Sequence, residues 1–366
     1  MNMIDYRFLE LSIAQLQSLV LLAQQNKYDT YRIGNHLKEL ESILYCLSSF
    51  DFSSKTDAEK EEVQQILDYI SYSLKYILSS TGDGVHLEVY YALRNVLEEW
   101  VPNSDIYIMV ATEGNFEVNW GYATSSSHYD IIKKVTGIDV MHRLVLFKVP
   151  VNLQNDYLCN CSLYHEIGHF IDAVHNISGI VYSSFILGKI CLPLTQYFAK
   201  AANGLSLSGI RSYLREYFAD IFASQYLGKS SYAYINQVAS TNEDTITHPA
   251  TSVRISMVDN FVDGIDNPII NLFNQSTQLI LGKKLSYKNL QLDLSPFFKD
   301  NQCDMSTTDN IHSIISGGWT LWFDNRDKFV DSEGKELHYS EVYNQINRNI
   351  QKSVDDYRNK RKTPNS

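Results

Sequence analysis

Cysteine is scarce in this chain of 366 residues, and its distribution excludes a disulfide framework. The five cysteines are an odd, scattered set: Cys46, Cys159, Cys161, Cys191 and Cys303. We therefore expect a reducing compartment and a cytoplasmic protein. Cys159 and Cys161 are separated by one residue and have no second cysteine pair nearby, which is more typical of packing residues than of metal ligands.

Positive charge is also in deficit. The chain has 31 Lys and Arg residues against 42 Asp and Glu residues, which gives a net charge of −11 at pH 7. Because phosphate binding requires a basic surface, this balance excludes nucleic acid as a bulk electrostatic partner. The 44% of hydrophobic residues is ample for a sizeable core.

Long apolar runs are missing as well. A membrane-spanning helix needs about 20 consecutive apolar residues, and the most apolar segment, residues 177–198, is interrupted by Lys189 and Pro193. We predict a buried helix or a cleft-side segment there, and we do not expect membrane contact. The first residues include acidic side chains and no cleavage-site pattern, so a signal peptide is not expected.

The most informative local string is His165-Glu166-Ile167-Gly168-His169. Residues four apart lie on one face of an α-helix, so His165 and His169 can present ring nitrogens to one metal ion. Glu166 then lies within reach of a water on the open side of that metal, where it can take a proton and return it to a leaving amine. Two histidines do not complete a catalytic zinc site, so a third ligand is required.

A second helix is predicted to begin after Ser208 and to end at residue 228. Within it, Glu216 and Asp220 are four apart and share a face. Neighbouring carboxylates repel each other unless a positive group lies near them, and a zinc ion with its histidines meets that need. Glu216 is then the third ligand, and Asp220 accepts the outer N–H of a ligating histidine. The alternative is a solvated face that pairs with Arg215.

These motifs resemble the gluzincin zinc metallopeptidases, which combine an H-E-x-x-H helix with a downstream glutamate ligand. The string E-Y-F-A-D at residues 216–220, and T-H-P at 247–249 followed by Arg254, are similar to elements of the HtpX and CaaX-prenyl-protease-like group. The resemblance covers about residues 143–262. Members of that group often carry transmembrane helices around these motifs. This chain has no apolar run long enough for one, so we expect a soluble member of the group. The resemblance implies zinc ligands at His165, His169 and Glu216, a general base at Glu166 and a supporting aspartate at Asp220.

His248 and Arg254 each have two interpretations. Pro249 suits the first turn of a helix, which places His248 at the helix N-terminus as a neutral N–H donor for the oxyanion of a tetrahedral intermediate. Arg254 then holds an acidic group or a substrate carboxylate. Alternatively, His248 is a capping residue and Arg254 belongs to a structural ion pair.

Patterning predicts three regions: a helical N-terminal region at 1–100, a metallopeptidase core at 101–265, and a C-terminal region of helices and loops at 266–366. Short stretches rich in β-branched and aromatic residues predict a small sheet between residues 104 and 150. Its last strand, 143–149, either pairs with an extended substrate or is an ordinary central strand. The expected fold class is α+β, mainly helical overall. Its zincin-like core would contain the active-site helix, the small sheet and the glutamate-bearing helix.

The sequence thus predicts a zinc-dependent metalloendopeptidase that acts on a protein or peptide substrate. One alternative is a regulatory or toxin-like metalloprotease that acts on a single partner, with the N-terminal helices as its recognition module. The other is a zinc-binding scaffold without catalysis. All the residue types of an active site are present, which gives the scaffold hypothesis no support.

Overall fold

A computed structural model describes residues 5–26, 28, 31–79, 87–101, 107–114, 121–124, 126–150, 156–199, 207–233, 243–288 and 291–362. The chain divides into two compact units. The N-terminal unit comprises residues 1–86 and 102–152, and the C-terminal unit comprises residues 87–101 and 153–366.

The protein is mainly helical, as predicted, with one small sheet. The strands are β1 (Tyr107–Gly114), β2 (Gly121–Thr124) and β3 (Arg143–Pro150). The helices, in chain order, are α1 (Tyr6–Gln24), α2 (Tyr31–Ser48), α3 (Asp57–Ser79), α4 (Leu87–Trp100), α5 (Ser126–Thr136), α6 (Ser162–His175), α7 (Ile177–Ile186), α8 (Leu194–Tyr197), α9 (Leu207–Leu227), α10 (Thr251–Val262), α11 (Pro268–Leu281), α12 (Asn310–Asp324) and α13 (Tyr339–Lys362).

The N-terminal unit packs α1, α2, α3 and α5 around an apolar core. Helix α1 begins where the Asp5 carboxylate accepts a hydrogen bond from the backbone N–H of Arg7, which satisfies one of the free amides of the first turn. Its buried side chains recur every three or four residues, the spacing of a single helix face: Leu9, Ile13, Leu16, Val20 and Ala23. The same core includes Ile132 of α5 and Leu144 of β3.

The sheet also belongs to the N-terminal unit, and its strand order is β1-β3-β2. Strand β3 pairs in parallel with β1 over residues 143–150 and antiparallel with β2 over residues 145–148. Both edges of β3 are therefore occupied over residues 145–148, so a substrate cannot pair with it there. The interpretation of residues 143–149 as an ordinary central strand is the one that the structure shows.

The C-terminal unit is built around α9, which packs against α6, α7, α10 and α12. Nearly every residue of α9 from Tyr213 onward is buried, so this part of the helix is enclosed by protein on almost all sides. Trp319 of α12 is buried, and its indole N–H donates to the carbonyl of Leu158 at 2.9 Å. The tyrosine that precedes the H-E-x-x-H histidines, Tyr164, is hydrogen-bonded to His312 Nδ1 at 2.7 Å. These two contacts tie α6 and the residues just before it to α12.

The apolar segment at residues 177–198 forms two short helices, α7 and α8, separated by a turn. Across the ranges that the structure describes, none of the helices is both long and apolar enough to cross a membrane.

Candidate metal centre

Helix α6 carries the two histidines of the H-E-x-x-H string on one face. The His165 and His169 rings lie 4.5 Å apart between centroids, and their planes are inclined by 83°. Both side chains are almost fully buried, with 10% and 11% of their surface exposed. Each of these buried imidazoles needs a polar partner, because an unpaired ring nitrogen in such a place is costly.

Helix α9 supplies that partner. The two oxygens of Glu216 each face one histidine: Oε2 lies 3.4 Å from His165 Nε2, and Oε1 lies 3.4 Å from His169 Nε2. One ligand atom from each of the three residues lies within 4.8 Å of the other two. The group that the sequence predicted is therefore brought together, and it could hold a metal ion.

The chemistry of this donor set fits zinc. Two imidazole nitrogens and one carboxylate oxygen are the ligands of many catalytic zinc sites, which keep a further position open. Zinc–ligand bonds of about 2.0–2.1 Å place neighbouring ligands of a tetrahedron about 3.3–3.4 Å apart. Each histidine Nε2 lies 3.4 Å from one of the two Glu216 oxygens, which is the spacing of a neighbouring ligand pair in such a tetrahedron.

Asp220 lies one turn beyond Glu216 on α9 and faces the outer nitrogen of His165. The Asp220 Oδ1 atom lies 2.9 Å from His165 Nδ1. Arg254 of α10 clamps the same carboxylate, with Nε 2.7 Å from Oδ2 and Nη2 2.8 Å from Oδ1. Arg254 Nη2 also lies 3.4 Å from Glu216 Oε2. The ion-pair interpretation of Arg254 is therefore the one that the structure shows.

The electrostatics of the cluster favour bound positive charge. Burial opposes a charge on His165, but Asp220 and Glu216 together raise the His165 pKa to about 10. Burial would raise the pKa of Glu216, yet contacts with His165 and His169 hold that pKa well below its usual range. Burial has the same effect on Asp220, and Arg254 nevertheless lowers the Asp220 pKa. Both carboxylates are thus anionic in a largely buried place.

Glu166 follows His165 on α6, and its side chain is half-buried. No ion-pair partner for it occurs among the residues that the structure describes. Part of the Glu166 side chain is thus exposed, one residue from His165 on the same helix.

His248 lies just before α10, and its side chain is 57% exposed. Its Nε2 atom lies 3.7 Å from Glu216 Oε1, and its Nδ1 atom lies 2.9 Å from the Thr247 hydroxyl. The Tyr213 hydroxyl donates to the carbonyl of Thr245 and ties this loop to α9. The sequence placed His248 at a helix N-terminus, and the structure places it three residues before the first residue of α10.

Gly168 is the contributor that the sequence analysis missed. It lies between the two histidines and against Ala219 of α9, where α6 and α9 approach each other closely. The signal was present, because a glycine inside a helix lowers helix stability and commonly marks a close packing contact.

The cysteines that precede the motif do not join the cluster. Among the described residues, the metal-capable group contains only the two histidines and Glu216. Cys159 is buried, with its Sγ 3.2 Å from the Tyr343 hydroxyl, and burial raises its thiol pKa. Cys161 is fully buried. Both residues therefore behave as packing residues.

Comparison of the chain with protein-family models, with curated proteins and with solved structures returned no match. The gluzincin resemblance therefore stays a prediction.

Proposed function

We propose that the protein is a zinc-dependent metalloendopeptidase of the gluzincin type. The observation that carries the proposal is the convergence of His165, His169 and Glu216 within 4.8 Å, with the available carboxylate of Glu166 on the same helix as the histidines. A structural zinc site is closed by four protein ligands, whereas a catalytic site keeps three and leaves a position for water or substrate. Three protein donors in the cluster therefore favour catalysis over a purely structural role.

In this proposal His165, His169 and Glu216 hold the zinc ion. A zinc ion bound there would lower the pKa of a neighbouring water and polarise the carbonyl of the scissile bond. Proton transfer, orientation of the ligands and stabilisation of the oxyanion are assigned to side chains of the protein.

Glu166 serves as the general base and then as the general acid. Its half-buried carboxylate takes the proton of the attacking water and passes that proton to the amine that leaves. The role requires a deprotonated carboxylate beside the histidine pair, and the absence of an ion-pair partner among the described residues leaves it accessible.

Asp220 and Arg254 orient the site. The Asp220 carboxylate lies 2.9 Å from His165 Nδ1 and favours a proton on that nitrogen, which leaves the lone pair on Nε2, the nitrogen that faces Glu216. Arg254 keeps Asp220 anionic and fixes its two oxygens in place through the bidentate clamp. Arg254 thus fixes the position of Asp220, and Asp220 fixes the orientation of the His165 ring.

His248 is the candidate donor for the oxyanion. If the Thr247 hydroxyl donates to Nδ1, the proton of the neutral ring lies on Nε2, the nitrogen that faces Glu216. That N–H can donate to the developing negative charge of a tetrahedral intermediate. The exposed position of the ring leaves room for a substrate beside it.

One experiment tests the proposal. Bound zinc is measured by elemental analysis in the parent, in Glu166→Gln and in Glu216→Ala, alongside cleavage of a broad peptide library. We expect Glu166→Gln to retain bound zinc but to lose cleavage. We expect Glu216→Ala to bind less zinc than the parent. Glu61→Gln, which removes a half-buried carboxylate from α3, is the matched control and should leave both readouts unchanged.

Two outcomes would count against the proposal. Full zinc occupancy in Glu216→Ala would overturn the third-ligand assignment. A parent that binds zinc and cleaves nothing in the library would favour a single-partner protease or a scaffold, and a library of folded proteins would then separate these two.

A further inference from the structure

Helices α6 and α9 approach each other closely at Gly168. A Cβ atom built on this glycine would lie 2.9 Å from Ala219 Cα, 3.1 Å from Ala219 O and 3.2 Å from Phe222 Cβ. Two of these three atoms are helix backbone and the third is a Cβ, so none of them can move aside by a side-chain rotation. A side chain at position 168 therefore requires one helix to shift against the other.

The contact is at the centre of the metal-binding group. Gly168 lies between the two histidines on α6, and Ala219 lies between Glu216 and Asp220 on α9. The separation of the helices at this point therefore sets the distances from the histidine nitrogens to the Glu216 oxygens, which are 3.4 Å. Each of those distances, measured to its own Glu216 oxygen, equals the separation of two neighbouring ligands around an ion with bonds of about 2.0–2.1 Å.

We propose that Gly168 is a positioning residue that sets the ion-size selectivity of this centre. The missing Cβ keeps α6 and α9 close enough for three donors to match zinc, and any added side chain widens the site. A widened site loses affinity for Zn2+ and favours a larger ion of the same electronic type, such as Cd2+. This inference rests on the proposed zinc centre and adds the origin of its spacing.

The test compares Gly168→Ala with the parent in affinity for Zn2+ and for Cd2+, each measured by competition with a chromophoric chelator. We expect Zn2+ affinity to fall roughly 10- to 100-fold, the range found when a supporting contact of a metal ligand is lost. Cd2+ affinity should fall less, so the ratio of Zn2+ to Cd2+ affinity decreases.

The matched control is Gly34→Ala in α2, another glycine inside a helix. A Cβ built there meets nothing within 4 Å, so this variant should keep both affinities. If Gly168→Ala does not fold without metal, recovery of its helical circular dichroism with excess Zn2+ or Cd2+ gives the same comparison, and we expect better recovery with Cd2+.

The outcomes separate this inference from the proposed function. A parent that binds neither ion refutes the metal centre itself. A parent that binds Zn2+, together with a Gly168→Ala variant whose affinities are unchanged or fall equally for both ions, overturns the role of Gly168 alone.

Discussion

The Arg254 guanidinium donates hydrogen bonds to both oxygens of Asp220, at 2.7 and 2.8 Å, inside the C-terminal unit. Only 12% of the Arg254 side chain and 4% of the Asp220 side chain are exposed. A pair this deeply buried is supported by mutual attraction and by hydrogen bonds, and the loss of one partner leaves the other as an uncompensated charge. Because Asp220 also faces His165, the pair links protein stability to the candidate metal centre.

A double-mutant cycle tests this pair. We expect Asp220→Asn or Arg254→Met alone to lower the free energy of unfolding by about 3–5 kcal/mol, the usual effect of breaking a buried ion pair. The double variant should lose less than the sum of the two, since it leaves no buried charge without a partner. The measurement is urea unfolding of the metal-free protein, and additive losses would show that the pair is not coupled.

Zinc should stabilise the C-terminal unit. A ligand that binds only the folded state adds about 4 kcal/mol when its concentration is 1,000 times the dissociation constant. We expect a chelator to lower the melting temperature of the parent and to have no effect on His165→Ala or Glu216→Ala. His175→Ala is the matched control, because His175 lies on the same helix but bonds to the carbonyl of Trp100. If the melting temperature of His175→Ala also fails to respond to the chelator, the loss of response does not identify His165 and Glu216 as the zinc ligands.

The sequence predicted which residues form the metal-capable group because their spacing within each helix is local. His165 and His169, like Glu216 and Asp220, are four apart, so a helix alone places each pair on one face. The partner of Arg254 lies 34 residues away in the chain, and no periodic pattern links them, so two interpretations remained open. The meaning of Gly168 depends on the surface of α9, and the central place of β3 depends on strand order. A glycine inside a helix signals a close contact, but a local pattern does not show which surface it meets, nor in which order the strands pair.

The N-terminal unit should be destabilised by acid through His36. This ring is fully buried, and its Nδ1 donates to the carbonyl of His142 at 2.8 Å. Burial lowers its pKa to about 4, against an ordinary value of 6.5. Between these two values the unfolded chain binds the proton more tightly than the folded protein does, so stability falls as the pH drops through this window.

The expected size of the His36 effect is about 2 kcal/mol between pH 7.5 and pH 5, from the shift between the two pKa values. Urea unfolding of the parent and of His36→Asn at several pH values measures it. Asparagine keeps a donor for the His142 carbonyl but does not titrate, so the variant should lose less stability on acidification. Parallel pH profiles for the two proteins would refute the assignment to His36.

The last prediction concerns the orientation of His248, and it rests on the proposed peptidase activity. The Thr247 hydroxyl lies 2.9 Å from His248 Nδ1, so it can fix which nitrogen carries the proton. Loss of an oxyanion donor lowers kcat by about 100- to 1,000-fold, and we expect this for His248→Phe, with KM and zinc content unchanged. Thr247→Val keeps the shape of threonine but removes the hydroxyl, and it should lower kcat by a smaller factor. Thr247→Ser keeps the hydroxyl and should retain the parent kcat. If Thr247→Val instead matches the parent while Thr247→Ser does not, the side chain acts through packing, and the hydroxyl has no part in orienting the ring.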